Sequence, residues 1–357
     1  MTQAQKQRLL RHLQQLISMP TTPNSPDVLT DCLAYIQQFA LEHGWHCKSI
    51  DGQSLIVSAK PGKKFTYMLQ AHLDVVPGDS AQFRLVKQQG RFYGRGTYDM
   101  KFAAACYLEL MATLNKHTSD VCFAFTTDEE TGGHGSAKLV QLGYLADVVV
   151  LPDGGQDWHM ERAAKGGWAA QLTIHGTPAH GSRPWEGKNP VETLLKLLPK
   201  IVKLNQNKAG KTTVVVSMLH AGEASNQVPA TARATLDCRF VDLKAYAKFR
   251  KKVELLASKA QATLETTIFV EPLINDLHGR YHAQFAESVS AITKVPKLTG
   301  VQSLGASDAR FYAAAGMPVI LCRPPGGGAH SDSEWISQKG FFQFYQVLER
   351  FLTQQVE

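Results

Sequence analysis

The chain has 357 residues, a formal net charge of +7, and 44% hydrophobic and 19% charged residues. This length is sufficient for two domains of common size. The basic residues are scattered, and their densest group, at 248–252, lies on a predicted amphipathic helix, so we expect no nucleic-acid partner. No segment reaches the roughly 18 apolar residues of a membrane-spanning helix, and no signal-peptide pattern is present, so we expect no membrane partner.

The first half of the chain alternates between helical and strand-like patterns. The predicted helices are 6–18, 27–43, 101–116 and 134–143, and the predicted strands are 65–71, 121–127 and 148–151. Such alternation is typical of a parallel sheet flanked by helices. The same pattern resumes after about 275, with helices at 278–293 and 339–353 and a strand at 318–322.

The segment between these two parts has a different order of elements. Its predicted elements are a strand at 168–175, a helix at 190–204, strands near 212–219 and 231–240, a helix at 243–260 and a strand at 263–270. The order β-α-β-β-α-β suits a small ferredoxin-type sandwich. We therefore predict an α/β domain formed by residues 1–165 and 275–357, interrupted by an inserted domain at 166–274.

The six cysteines form no Cys-x-x-Cys pair, and most lie within apolar segments. This pattern indicates reduced, buried thiols, and hence a reducing compartment. We expect the protein to be cytoplasmic.

Polar clusters follow the apolar strands of the first domain. They are His72-Leu73-Asp74, Asp99, Asp128-Glu129-Glu130 and Asp153, and His330 follows the strand at 318–322 and a triple glycine. Side chains at the carboxyl ends of parallel strands converge on one crevice. Taken singly, each residue could be a cap or a turn residue, and Glu129-Glu130 could simply begin a solvated helix. Together they predict one site.

Two imidazoles and three carboxylates suit a pair of divalent metal ions. Each ion would take one histidine and one terminal carboxylate, and the third carboxylate would bridge the pair and leave a position for water. Ligands without thiolate favour two Zn²⁺ ions, and Mn²⁺ or Co²⁺ would also fit.

Five segments resemble the cocatalytic zinc peptidase family that includes acetylornithine deacetylase, succinyl-diaminopimelate desuccinylase, aminoacylase, cytosolic dipeptidases and glutamate carboxypeptidase. The matching segments, in chain order, are His72-Leu73-Asp74-Val75-Val76-Pro77, Tyr93-Gly94-Arg95-Gly96-Thr97-Tyr98-Asp99-Met100-Lys101, Asp128-Glu129-Glu130-Thr131-Gly132, Gly176-Thr177-Pro178-Ala179-His180 and Gly326-Gly327-Gly328-Ala329-His330-Ser331. The resemblance implies an α/β fold: a phosphorylase/hydrolase-like zinc-peptidase catalytic domain with an inserted ferredoxin-like α+β lid or dimerisation domain.

The resemblance also implies roles for residues of the first domain. The metal ligands would be His72, Asp99, Glu130, Asp153 and His330, with Asp99 bridging. Asp74 would accept the second N–H of the His72 imidazole, and Glu129 would be the general base. The Asp99–Met100 peptide bond is expected to be cis.

Further roles follow for residues that would contact substrate. His180 would reach across a homodimer, formed through the inserted domain, to stabilise the oxyanion of the partner's site; the alternative is an ordinary loop histidine. Asn226 and Arg239 would bind substrate, although Arg239 could equally be a structural ion-pair partner. Backbone N–H groups of Gly327, Gly328 and the loop 305–310 could bind a substrate carboxylate.

The resemblance implies a hydrolase that cleaves an amide bond in a small peptide or an N-acyl amino acid. Asp153 stands where deacylases of the family more often carry Glu, which favours a dipeptidase or carboxypeptidase. The alternative within the family is an N-acyl-amino-acid deacylase of the acetylornithine or succinyl-diaminopimelate type. A non-catalytic metal-stabilised binding protein is disfavoured, because the sequence retains every expected ligand and the base.

Overall fold

The computed structural model describes residues 1–115, 120–206, 210–303 and 305–354. The α-helices in these ranges are α1 (Gln3–Ile17), α2 (Pro26–Glu42), α3 (Lys101–Thr113), α4 (His134–Gln141), α5 (Pro190–Val202), α6 (Leu243–Lys259), α7 (Arg280–Thr293), α8 (Ala309–Ala314) and α9 (Gln338–Thr353). All but α8 were predicted. The last predicted position of the third helix, 116, lies outside the described residues.

The strands are more numerous than the sequence pattern indicated. They are β1 (His46–Ile50), β2 (Ser54–Ser58), β3 (Lys64–His72), β4 (Val86–Gln88), β5 (Arg91–Tyr93), β6 (Val121–Thr126), β7 (Leu145–Val150), β8 (Met160–Ala164), β9 (Gly166–His175), β10 (Ala179–His180), β11 (Thr213–Ala221), β12 (Gln227–Val228), β13 (Thr231–Phe240), β14 (Thr263–Val270), β15 (Leu273–Ile274), β16 (Gly300–Ser303), β17 (Val319–Ile320), β18 (Gly326–Gly327) and β19 (Trp335–Ser337).

The chain divides into two compact units. The first contains Met1–Arg162, Ile274–Val301 and Ser307–Glu357, and the second contains Ala163–Leu273 and Gln302–Ala306. The short segment 302–306 was not separated from its neighbours by the sequence pattern. The roles expected for the two segments, catalysis and lid or dimerisation, stay predictions.

The main sheet of the first unit has the strand order β1-β2-β6-β3-β7-β17. Strands β6, β3, β7 and β17 are parallel, as predicted, but β2 is antiparallel to both β1 and β6. The sheet is therefore mixed, and the prediction of a parallel sheet was wrong at this edge. Asp51 and Gly52 both have positive φ, at 51° and 69°. An Asp-Gly pair readily adopts this conformation in hairpins, and the sequence analysis overlooked that signal.

Helix α3 begins directly after Asp99 and Met100, and eleven of its 13 residues are buried. Its apolar side chains pack inside the first unit, and its buried charged groups have partners. The Nζ of Lys101 donates to the main-chain oxygens of Leu16 and Met19, and Glu109 pairs with Arg8. These contacts anchor the chain immediately after Asp99.

A second sheet of the first unit is small and antiparallel, with the order β18-β19-β5-β4. Asp99 lies six residues beyond the end of β5 at Tyr93, and His330 lies in the connection between β18 and β19. Two of the expected ligands therefore lie in segments that adjoin this sheet, whereas His72, Glu130 and Asp153 lie at the carboxyl ends of the main-sheet strands β3, β6 and β7.

The second unit contains an antiparallel sheet with the order β11-β13-β9-β14. Its chain order, β9-α5-β11-β13-α6-β14, is the predicted β-α-β-β-α-β order of a ferredoxin-type sandwich. Its core contains Trp168, Leu194, Leu236 and Phe249 from the sheet and both helices. A smaller sheet of this unit has the order β10-β12, and the chain contains a further sheet with the order β15-β8-β16.

Two further expectations concern cysteines and membranes. All six cysteines are free thiols, and all are buried except Cys47, which is partly exposed.

None of the helices in the described ranges is long and apolar enough to span a bilayer.

Candidate metal centre

His72 is the last residue of β3, and its side chain is buried. Its Nε2 lies 3.1 Å from Oδ1 of Asp99, and its Nδ1 lies 3.0 Å from the main-chain oxygen of Asp74. Burial lowers the pKa of this imidazole, but the carboxylates of Asp74 and Asp99 oppose that effect and hold the pKa well above its usual value. Contacts at both nitrogens therefore fix the ring, with Nε2 directed at Asp99.

Asp74 supports the site in two ways. Its main-chain oxygen is the nearest acceptor for Nδ1 of His72, whereas its carboxylate lies 3.5 Å from that nitrogen. The carboxylate accepts the N–H groups of Glu129 and Glu130, at 3.2 and 2.9 Å. The structure thus differs from the prediction in detail: the carbonyl is the closer partner of the imidazole, and the carboxylate holds the turn that carries both glutamates.

Asp99 lies between two histidines. Its Oδ1 faces Nε2 of His72 at 3.1 Å, and its Oδ2 faces Nε2 of His330 at 3.2 Å. Burial raises the pKa of this carboxyl group, but the hydrogen bonds from His330 and His72 outweigh burial and hold the pKa well below its usual value. The Asp99–Met100 peptide bond is cis, as expected.

The five expected ligands form two groups that share one residue. The first group is His72, Asp99 and Asp153, and the second is Asp99, Glu130 and His330; within each group the ligand atoms lie within 4.8 Å of one another. In the second group, Nε2 of His330 lies 3.0 Å from Oε1 of Glu130. Imidazole nitrogens with carboxylate oxygens, and no thiolate, suit Zn²⁺, Mn²⁺ or Co²⁺. The arrangement fits two ions bridged by Asp99.

Asp153 lies three residues beyond the end of β7, in a turn that other side chains hold. Burial, with Asp99 and Glu129 nearby, raises the pKa of Asp153 well above its usual value. Within this turn, the N–H of Gly155 donates to Glu161 at 3.2 Å, and its carbonyl oxygen accepts Nε of Arg323 at 3.0 Å. Arg323 therefore brings a compensating positive charge to the first ligand group, and sequence analysis missed it.

Glu129 lies beside the ligands but belongs to neither group. The carboxylate of Asp74 accepts the N–H of Glu129 and so holds its main chain in place. Burial raises the pKa of Glu129 to about 8, opposed by His72 and increased further by Asp308 and Asp99. A carboxylate with a raised proton affinity beside a ligand cluster is suited to accept a proton.

A buried ion pair between Arg95 and Glu334 also belongs to this region. Both residues are 2% exposed, and their side chains are 3.0 Å apart. Glu334 accepts the N–H of Asp99 itself, at 3.0 Å. The sequence analysis missed both residues. Arg95 precedes Asp99 by four positions, and Glu334 follows His330 by four. Charged residues this close to expected ligands were the signal that could have identified them.

His180 and Asn226 lie together in the second unit. Strands β10 and β12 pair His180 with Gln227, and the N–H of Gly181 donates to the main-chain oxygen of Asn226 at 2.7 Å. His180 is exposed, and the N–H of Ser182 donates to its Nδ1 at 3.2 Å. Because Nδ1 accepts, Nε2 carries the proton and is available as a donor.

Arg239 lies on β13 in the four-stranded sheet of the second unit, not in the β10-β12 sheet. It pairs with Gly167, at the start of β9, whereas β10 follows the end of β9. Its guanidinium forms a two-point ion pair with Asp237, with distances of 2.9 and 3.1 Å. The structure therefore separates Arg239 from His180 and Asn226 within the unit, and gives it the structural partner that the alternative interpretation anticipated.

Some of the backbone groups expected to bind a substrate carboxylate take part in hydrogen bonds or strand pairing within the protein. Gly327 lies in β18 and pairs with Trp335, while Gly328 has a φ of 72° that favours glycine. In the loop 305–310, the N–H groups of Gly305 and Arg310 already bond to Ser303 and Ser307. These two N–H groups are therefore engaged within the protein.

Comparison with known proteins places these observations in a family context. Residues 68–354 match the family described as Peptidase family M20/M25/M40. A curated relative, the succinyl-diaminopimelate desuccinylase of Erythrobacter litoralis, is 30% identical over 278 residues, which cover 71% of this chain and 71% of the relative.

Solved structures resemble the whole chain. A tripeptidase from Staphylococcus aureus has a TM-score of 0.82 at 19% identity and covers 97% of both chains. A metallo-carboxypeptidase from Sulfolobus solfataricus has a TM-score of 0.77 at 17% identity, covering 96% of this chain and 98% of the other. At these identities the similarity concerns the fold, and it confirms the predicted α/β fold class.

The shared position of Asp99 predicts the zinc content of three variants after dialysis against metal-free buffer. His330→Ala and Asp153→Asn should each retain about one zinc ion, because each loses a ligand of one group only. Asp99→Asn should retain less than one, because both groups lose a ligand. Elemental analysis by mass spectrometry measures this. The exposed His278→Ala is the matched control and should retain the wild-type content; equal loss in all variants would contradict the shared arrangement.

Proposed function

The chain belongs to the Peptidase family M20/M25/M40, and from this membership we propose that it cleaves an amide bond in a small peptide at a centre of two zinc ions. The protein is an enzyme of the amidohydrolase and peptidase type. Beyond this enzyme type, we propose the substrate class, the metal, the metal ligands and the catalytic base. The observation that carries it is the pair of ligand groups sharing Asp99, with Glu129 beside them and outside both.

The chain's own groups divide the chemistry between them. Two metal ions held by the two ligand groups would make a water easier to deprotonate and would polarise the scissile carbonyl. The carboxylate of Glu129 accepts a proton from the attacking water and then delivers it to the leaving amine nitrogen. Asp74 keeps Glu129 in place through its N–H, and also holds the N–H of the neighbouring ligand Glu130.

Two substrate classes are supported by different observations. Asp153, at a position where deacylases of the family more often carry Glu, supports a dipeptidase or carboxypeptidase. The name of the curated relative, a succinyl-diaminopimelate desuccinylase, supports the second candidate, an N-acyl-amino-acid deacylase. Both reactions release a free amine from an amide, so the same zinc ligands and the same base would serve either.

A substrate screen separates the two candidates. The purified protein, supplied with Zn²⁺, Mn²⁺ or Co²⁺ in turn, should release free amine from at least some dipeptides and tripeptides, and a chelator should stop the reaction. N-acetyl and N-succinyl amino acids form the second arm. Hydrolysis of acyl amino acids without any peptide would establish the deacylase instead, and no metal-dependent hydrolysis in either arm would contradict the proposal.

Replacement of Glu129 tests its assignment as the base. Glu129→Ala should keep the wild-type zinc content and lower kcat by roughly 10²–10⁴-fold, the usual contribution of general acid–base catalysis. Glu129→Gln, which preserves the volume but removes the basic oxygen, should behave in the same way. Kinetics and elemental analysis are performed on the same samples. Wild-type turnover in either variant would refute the assignment.

We further propose that the protein is a homodimer formed through the second unit. Strand β11 lies at the edge of its sheet, and Val215, Met218 and Leu219 on that strand are 58%, 53% and 53% exposed. An edge strand with exposed apolar side chains is a surface that proteins usually cover or pair. Such a dimer would allow His180 to donate its Nε2–H to an oxyanion in the partner's site.

Mixed dimers test whether His180 acts across subunits. His180→Ala alone should retain zinc and lower kcat by roughly 10²–10³-fold, as expected for loss of an oxyanion donor. Subunit exchange with Asp99→Asn should restore activity above the sum of the two separate proteins, because the second subunit supplies His180 to the intact metal site. Exchange with the double variant H180A/D99N is the control; equal activity in both mixtures would contradict action across subunits.

The cysteines and the distribution of charge support proposals about the compartment and the partners of the protein. Six free cysteines support a reducing environment, and we propose that the protein is cytoplasmic. We propose small molecules as the substrates of the site. Because the basic residues are scattered along the chain, we propose no nucleic-acid partner.

A further inference from the structure

The carboxylate of Glu334 is saturated by four donors from one short segment. Its Oε1 accepts the N–H groups of Tyr98 and Asp99, at 2.8 and 3.0 Å. Its Oε2 accepts the N–H of Gly96 at 2.9 Å and Nη1 of Arg95 at 3.0 Å. Three main-chain groups are thus held by one buried side chain, so the path of the backbone into Asp99 depends directly on Glu334.

Arg95 extends this network to the segment that carries His330. Its Nη1 also donates to the main-chain oxygen of Ser331 at 3.1 Å, and its Nη2 donates to that of Pro77 at 3.4 Å. Ser331 directly follows His330, and Glu334 belongs to the same segment. The ion pair therefore joins the two loops that bring Asp99 and His330 to the site.

The two ligand groups depend on this pair to different degrees. Asp99 and His330, two of the three residues of the second group, lie in the loops after β5 and before β19, which pair in the small sheet. Asp99 is the only residue of the first group in these loops. His72 ends β3 and Asp153 follows β7 in the main sheet, and separate contacts from Asp74, Glu161 and Arg323 hold their surroundings. Loss of the pair should therefore disturb the second group more than the first.

We propose that Glu334 and Arg95 are positioning residues that set the geometry of the Asp99–Glu130–His330 metal subsite. This inference rests on the proposed function, because it takes these residues as zinc ligands. The pair does not touch substrate; it acts through the backbone of two ligand loops. A pair that served only stability would contribute to the folding free energy and leave metal affinity unchanged.

Zinc titration of the Glu334→Gln variant tests the proposal. Gln preserves the volume but replaces one acceptor oxygen with a donor and removes the charge that holds Arg95. We expect the dissociation constant of the zinc ion at the Asp99–Glu130–His330 group to rise by roughly 10–100-fold. This is the usual effect of removing a partner that orients a ligand. The affinity of the His72–Asp99–Asp153 group should fall less, because Asp99 is its only residue held by Glu334, and excess zinc should restore most of kcat.

Glu109→Gln is the matched control. Glu109 is as fully buried as Glu334, is paired with Arg8, and lies in the same unit. Its loss should lower the melting temperature without changing either zinc affinity. If Glu334→Gln does not fold, Glu334→Asp and Arg95→Lys are titrated instead, and we again expect the larger loss of affinity at the Asp99–Glu130–His330 subsite.

The His330→Ala variant separates failure of this inference from failure of the proposed function. Wild type binding two zinc ions and His330→Ala binding one would support the function. If Glu334→Gln then bound both ions with wild-type affinities while losing thermal stability as Glu109→Gln does, the positioning role would be overturned. If the wild type bound fewer than two ions, the proposed function and this inference would both be overturned.

Discussion

The two carboxylate oxygens of Asp99 face two different imidazoles, His72 at 3.1 Å and His330 at 3.2 Å. This single side chain joins the two ligand groups, so each remaining ligand must approach it from its own side. Burial alone would favour the neutral acid, and the two histidines reverse this tendency. The chemistry proposed for the site depends on keeping this carboxylate ionised and correctly oriented.

The fold meets this requirement with two sheets. The parallel strands of the main sheet end at the same edge and bring His72, Glu130 and Asp153 together. The small antiparallel sheet brings Asp99 and His330 from the other direction. Because ligands from two sheets must meet within hydrogen-bonding distance, a small shift of either sheet would separate them. The buried Arg95–Glu334 pair joins the loops that carry Asp99 and His330.

Much of this could be predicted from the sequence. Helix periodicity and apolar strands located most elements, and the polar residues following those strands identified all five candidate ligands. The hairpin of β1 and β2, strand β8 and helix α8 were missed because short segments carry little periodicity. Glu334 and Arg95 were missed for a different reason: their importance depends on long-range contacts, such as the bond from Asp99 N–H to Glu334 across 235 positions, which sequence patterns do not encode.

The most direct test of the account is anomalous X-ray diffraction from crystals grown with zinc, recorded on both sides of the zinc absorption edge. A centre of two ions that share Asp99 should give two peaks in the first unit, roughly 3.5–4 Å apart, with one oxygen of Asp99 directed at each. One peak, or two peaks that do not share Asp99, would contradict it.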